Sequence, residues 1–150
     1  SIGLVHDSLG RLGAGSQVRL DDYLRLVAES LSTADNHRHI DKDLAPLSID
    51  SRRAVSVGLV VTELCLNSLL HAFPDGRQGR VLISLAQKDG LITVGVRDDG
   101  VGFEAGHEKK GFGSLLVESL AAQLRGSLVR QSGPGPGTGY ELVFPLVESA

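Results

Sequence analysis

The run Val60-Val61-Thr62-Glu63-Leu64-Cys65-Leu66-Asn67-Ser68-Leu69-Leu70-His71-Ala72-Phe73 constrains this chain more than any other stretch. At helical period Glu63, Asn67 and His71 fall at i, i+4 and i+8, a single file along a helix that is apolar almost all round. A solvated face would be wide and rich in Lys and Arg. This file is narrow, holds an acid, an amide and an imidazole, and belongs to a helix that must be mostly buried, where such groups are costly without partners. Two readings stand at this point: polar residues satisfied at the edge of a core, or a site for a hard cation and phosphate.

The flanking sequence supplies a fold to hold that helix. Ile2, Leu4, Val5, Leu9 and Leu12 have roughly helical spacing before a break at Gly13-Ala14-Gly15-Ser16, and Leu20 to Leu31 resumes a helix with Asp21 and Asp22 at its positive end. Arg38 to Leu47 reads as a modest strand, Ser48 and Asp50 offer an N-cap for the central helix, and Phe73-Pro74-Asp75-Gly76 ends it. Arg80 to Gln87 and Leu91 to Arg97 alternate as strands joined by Lys88-Asp89-Gly90, a strong hairpin signal. Ser114 to Leu124 is a further amphipathic helix closed by Arg125-Gly126; residues 127–132 and Tyr140 to Leu146 are strands. The expected class is α/β in two layers, with helices on one face of a mixed, mostly antiparallel sheet.

Composition limits what such a domain can do. With four Phe, two Tyr and neither Trp nor Met, aliphatic side chains must fill the core. A net charge of −3 speaks against a nucleic-acid partner. The lone Cys65 lies mid-helix and reads as a buried, inert thiol suited to a reducing compartment. No apolar run is expected to reach the ~20 residues of a membrane span, and a start at Ser1 suggests a piece of something longer.

Three glycine signals follow the central helix. Asp98-Asp99-Gly100-Val101-Gly102 ends a strand, where backbone can approach a planar ligand and a carboxylate can accept from its amino group. Gly111-x-Gly113 opens a helix, a position that favours phosphate, and Gly137-Thr138-Gly139-Tyr140 precedes the last strand. Each alone is ordinary loop punctuation as readily as a site. Their order, together with the polar file, describes a nucleotide pocket better than four accidents.

Glu63-Leu64-x-x-Asn67-Ser68-x-x-His71-Ala72-Phe73, Asp98-x-Gly100-x-Gly102, Gly111-x-Gly113-x-x-Leu116-Val117 with Gln123-Leu124-x-Gly126, and Gly137-Thr138-x-Tyr140-x-Leu142-x-Phe144-Pro145 resemble the N, G1, G2 and G3 boxes of the GHKL ATPase superfamily. The likeness covers roughly residues 20–147 and is nearest to the catalytic domain of bacterial sensor histidine kinases, in the short-lid branch whose N-box ends His-Ala-Phe. It implies a Bergerat-type ATPase fold over residues 17–150, preceded over 1–16 by the tail of a dimerisation helix and a linker. It further implies ATP and Mg²⁺ as cofactors. Asn67 would supply an oxygen to Mg²⁺, and Glu63 would hold a metal-bound water or help polarise the acceptor. His71 would lie beside the phosphates and Asp98 would accept the adenine amino group. Gly100 and Gly102 would let base and lid pack, Gly111 and Gly113 would sit near the β/γ-phosphates, and Thr138 would complete the adenine contacts.

Two positions depart from the family pattern. Leu70 stands where Lys commonly precedes the His, removing a charge-assisted contact worth ~1.5–3 kcal/mol that Lys109 or Lys110 in the lid would have to replace. Asp99 stands where Asn is common and should point away from the base. His37 and His39 read as surface residues and His107 as a lid residue. His6-Asp7 imitates a phosphoacceptor motif, but the second long helix of a dimerisation hairpin needs ~30 residues and the next helix begins far sooner. The resemblance therefore implies a phosphoacceptor His outside this chain, on the dimerisation domain of the same protein, and a response-regulator receiver domain as second partner. It implies a cytoplasmic domain, monomeric alone and dimeric in its parent. Two rivals share the boxes: a nucleotide-poor docking module, suggested by Leu70, and a Ser/Thr kinase of the anti-sigma-factor type. A gyrase-like or chaperone-like ATPase is disfavoured by the short span from Gly102 to Gly111.

Overall fold

The computed structural model describes residues 16–32, 38–71, 79–100, 112–131 and 137–147. The elements run β1 (Gln17–Arg19), α1 (Leu20–Ser32), β2 (Arg38–Leu44), β3 (Ser48–Asp50), α2 (Ser51–His71), β4 (Gly79–Lys88), β5 (Leu91–Asp98), α3 (Phe112–Gln123), β6 (Ser127–Gln131) and β7 (Gly139–Pro145). Five strands form the main sheet in the order β2-β4-β5-β7-β6; β2 and β4 are parallel and the other pairs antiparallel. The expected two-layer arrangement is therefore the one observed.

Strand parity explains why one face of the sheet is covered. Val81, Ile83 and Leu85 of β4 are buried while Arg80, Leu82 and Ala86 are exposed. Ile92, Val94 and Val96 of β5 and Leu142 and Phe144 of β7 continue the buried set. At the β4–β5 turn Asp89 and Gly90 both have positive φ, 54° and 78°, the conformation a two-residue type I′ hairpin demands. In α1, Leu20, Tyr23, Leu24, Val27, Ala28 and Leu31 follow the 3.6 period and are buried. The Tyr23 ring lies over Gly58 of α2, where an added Cβ would strike it.

The central helix is amphipathic rather than buried all round. Ala54, Val57, Val60, Val61, Leu64 and Cys65 are interior, whereas Leu66 and Leu70 are exposed. Against the expectation of no span-length apolar run, Ser51–Leu70 is long and apolar enough to cross a membrane. Its composition reflects the packing of one face into the core, and burial pushes the Cys65 thiol up to about 12.

One arginine ties the start of α2 to the end of the sheet. Asp50 caps the helix by accepting from the Arg53 backbone N–H at 3.1 Å, and its other carboxylate oxygen meets Arg53 Nε at 2.7 Å. The rest of the guanidinium donates to the carbonyls of Pro145 and Leu146, both at 2.8 Å, and lies over the Phe144 ring. Burial opposes ionisation of Asp50, but its bonds to Arg53 hold its carboxyl below the usual range.

The Arg38 to Leu47 strand ends earlier than expected, at Leu44. Residues 48–50 instead pair antiparallel with β1 in a ribbon the sequence did not suggest. Ser48 is consequently a strand residue, and Asp50 alone of the two expected caps serves α2. Asp21 is buried at the foot of this ribbon, where Arg19 grips both its oxygens at 2.9 and 2.8 Å and the Leu47 N–H donates to it at 3.3 Å. The helix tail expected over residues 2–12 and the α2 exit at Phe73 to Gly76 lie outside the described residues.

Candidate functional site

The same parity that builds the core delivers Asp98 to the site. Residues 92, 94, 96 and 98 share one face of β5, so Asp98 follows three buried aliphatic residues onto the helix-covered side. Thr138 lies immediately before β7 and keeps its parity, two residues before Tyr140 and four before the buried Leu142. From above, the buried face of α2 carries Val57, Val61 and Leu64, and the next position on that face is Ser68. Three chain segments remote in sequence thus converge on one carboxylate.

Asp98, Ser68 and Thr138 are all buried, and the carboxylate is highly satisfied. Its Oδ1 accepts the Gly100 N–H at 2.9 Å and the Thr138 N–H at 3.2 Å, while Oδ2 accepts the Ser68 hydroxyl at 2.8 Å. The Asp98 N–H in turn donates to the Thr138 carbonyl at 2.9 Å. Gly137 closes the arrangement: its φ is +109°, and an added Cβ would collide with the Asp98 carbonyl oxygen. No L side chain suits that position on either count.

Asp99 is engaged with Arg80. Its Oδ1 accepts the Arg80 N–H at 2.8 Å and its own N–H reaches the Arg80 carbonyl at 3.2 Å. Asn67 is exposed and Glu63 half-buried, one helical turn apart beside the buried face that carries Ser68. Gly113 lies in the first turn of α3, which packs against α2. His71 is the last residue of α2. Gly102, Lys109, Lys110 and Gly111 fall outside the described residues. Leu70, the position that departs from the family pattern, is 72% exposed.

Sequence reasoning assigns no role to two members of this constellation, Ser68 and Gly137. Ser68 was one letter of the N-box, and its buried position on the helical wheel was the available signal. Gly137 was one of several glycines in a loop, and nothing local distinguished it.

The model of the histidine kinase-like ATPase domain family matches residues 20–143, most of the chain. The chain belongs to that family. It is similar to the sensor histidine kinase PdtaS of Mycobacterium tuberculosis, 33% identical over 156 aligned positions that take in 97% of this chain and 30% of that protein. It is also similar to blue-light-activated histidine kinase 1 of Erythrobacter litoralis, at 30% identity over 56% of this chain and 24% of that protein. Among solved structures, the histidine kinase domain of the Erythrobacter litoralis EL346 blue-light-activated kinase superposes with a TM-score of 0.82 at 26% identity, covering 97% of this chain and 70% of that one. The chain thus spans under a third of the length of each of these two curated relatives.

Proposed function

We propose that this histidine kinase-like ATPase domain binds ATP and donates its γ-phosphoryl group to a His on the dimerisation domain of its own protein, from which the group passes to an Asp on a response regulator. The observation that carries the reading is Asp98, a buried carboxylate at a strand end, backed by two main-chain N–H groups and by the helix that bears Asn67 and Glu63. In this reading Asp98 accepts the amino group of the adenine, while Gly100, Gly102 and Thr138 shape the slot around the ring.

Asn67 and Glu63 suit Mg²⁺ that arrives with a nucleotide. No group of three or more His, Cys, Asp or Glu side chains is placed to cage a metal among the described residues. Mg²⁺ typically takes one or two protein ligands and fills the remaining positions with phosphate and water. Asn67 would offer an amide oxygen and Glu63 a water-mediated contact, and the ion would neutralise charge on the transferring phosphate. His71, Lys109, Lys110, Gly111 and Gly113 complete the proposed phosphate end. The chain's own contribution is orientation: the Ser68–Asp98 bond joins the base end of the site to the helix that serves the phosphate end. The parent protein is read as a dimer with this domain in the cytoplasm.

Titration calorimetry with Mg²⁺ and a non-hydrolysable ATP analogue tests the first half of the reading, with micromolar to submillimolar binding expected. Supplying the dimerisation segment in trans with ATP tests the second; acid-labile phosphate on that segment is expected. Acid-stable phosphate on a partner protein would replace the reading with a Ser/Thr kinase, and absence of nucleotide binding would leave a docking module.

A further inference from the structure

A carboxylate does not by itself choose between purines. Guanine offers two neighbouring donors, N1–H and its 2-amino group, which suit a carboxylate with two acceptor positions open. Adenine offers a single amino group. What discriminates is how many acceptor positions the protein has left unused. An ionised carboxylate has about four. On Asp98, Oδ1 takes the N–H groups of Gly100 and Thr138, and Oδ2 takes the hydroxyl of Ser68. Among the described residues one position remains, on Oδ2.

We propose that Ser68 is a specificity-determining residue of the nucleotide site: by occupying one of the two positions on Asp98 Oδ2, it leaves room for one donor and so selects a base with an amino edge over one with two adjacent donors. This rests on the reading that Asp98 receives a purine. The stripe of α2 that leads to position 68 is apolar, Val57, Val61 and Leu64, and the buried Thr62 beside it satisfies its hydroxyl within the helix on the Gly58 carbonyl, whereas the Ser68 hydroxyl reaches out of the helix to Asp98. A hydroxyl is costly there unless it is bonded, and Ser68 donates to the Asp98 carboxylate. With its proton committed to Asp98, the Ser68 oxygen presents only lone pairs. A carbonyl placed at this corner meets acceptors on both sides, whereas an amino group meets none of that repulsion. Ser68 touches the base through Asp98 and acts as a positioning group, not as part of the phosphoryl transfer.

The test is the ratio of affinities for the Mg²⁺ complexes of non-hydrolysable ATP and GTP analogues, measured by calorimetry on the wild type, Ser68→Ala and Ser68→Thr, with urea melts beside each. The wild type is expected to prefer the adenine nucleotide by ~100-fold or more. Ser68→Ala should bind it about 3–10-fold more weakly while gaining on the guanine nucleotide, so that the ratio falls at least roughly tenfold. Ser68→Thr, which keeps the hydroxyl, should restore the ratio. A purely structural role would weaken both nucleotides alike and leave the ratio unchanged, and that result overturns the proposal. A wild type that binds both equally also overturns it while the nucleotide site stands; a wild type that binds neither removes the nucleotide site itself.

Discussion

Replacing Asp98 by Asn separates the recognition role of this carboxylate from its structural one. The geometry forces the orientation of the new amide. At the Oδ1 position two main-chain N–H groups converge from Gly100 and Thr138, so the amide oxygen must sit there and the NH₂ must take the place of Oδ2. The fold then keeps both main-chain bonds, and the Ser68 hydroxyl can turn from donor to acceptor. The stability loss is limited to weakened charge assistance, about 1 kcal/mol. Binding fares worse, because the atom offered to the adenine amino group changes from acceptor to donor. That forfeits a charge-assisted bond of about 1.5–3 kcal/mol and sets two donors face to face at a further cost of about 1 kcal/mol or more. The sum is at least ~2.5 kcal/mol, or roughly 70-fold in Kd. Asp98→Ala provides the contrast, since it strands both buried N–H groups at about 1–3 kcal/mol each and should lower stability as well as affinity. Urea melts and calorimetric titration with a Mg²⁺–ATP analogue, run on the same preparations, read the two effects. An Asn variant that binds within threefold of the wild type would refute the assignment of Asp98 to the base.

Three further outcomes are expected. Arg53→Met should destabilise the domain by about 3–5 kcal/mol in urea melts, because it removes a buried guanidinium from Asp50 and from the Pro145 and Leu146 carbonyls; Arg53→Lys should not rescue it, since a single ammonium cannot span those partners, and a loss under ~1 kcal/mol would contradict this account. Asp21 is held down to about 2 by its hydrogen bonds to Arg19, against an ordinary value of 3.8, so protonation favours the unfolded chain. Its contribution, about 1–2 kcal/mol given that Arg19 is half exposed, is present above pH ~4 and should drain away towards pH 2; Asp21→Asn should flatten that part of the stability profile. Gly137→Ala should cost at least ~2 kcal/mol through its φ of +109° and the clash with the Asp98 carbonyl, and should weaken nucleotide binding by displacing Thr138; an unchanged melt would show the loop able to relax.

Much of this molecule follows from periodicities that any short window of the chain displays. The two-residue alternation of Ile92, Val94 and Val96 carried Asp98 to the covered face of the sheet, and Asp89-Gly90 announced the hairpin beside it. The spacing of Glu63, Asn67 and His71 marked the helix of the site, and the box motifs marked the family. Patterns of this kind are local, since period 2 and period 3.6 are properties of strands and helices before they pack. The β1–β3 ribbon gave no such sign, because each strand is three residues long, too short for alternation to show. Arg53 lies in the first turn of α2, and only the arrival of β7, 92 residues later, gives its guanidinium two carbonyls to bond. Ser68 and Asp98 are 30 residues apart and Thr138 a further 40, so their hydrogen bonds exist only once α2 lies across the ends of β5 and β7. Sequence determined which residues would face the interior; tertiary packing decided which of them would meet, because the number of donors reaching one carboxylate depends on distances between elements that no local pattern encodes.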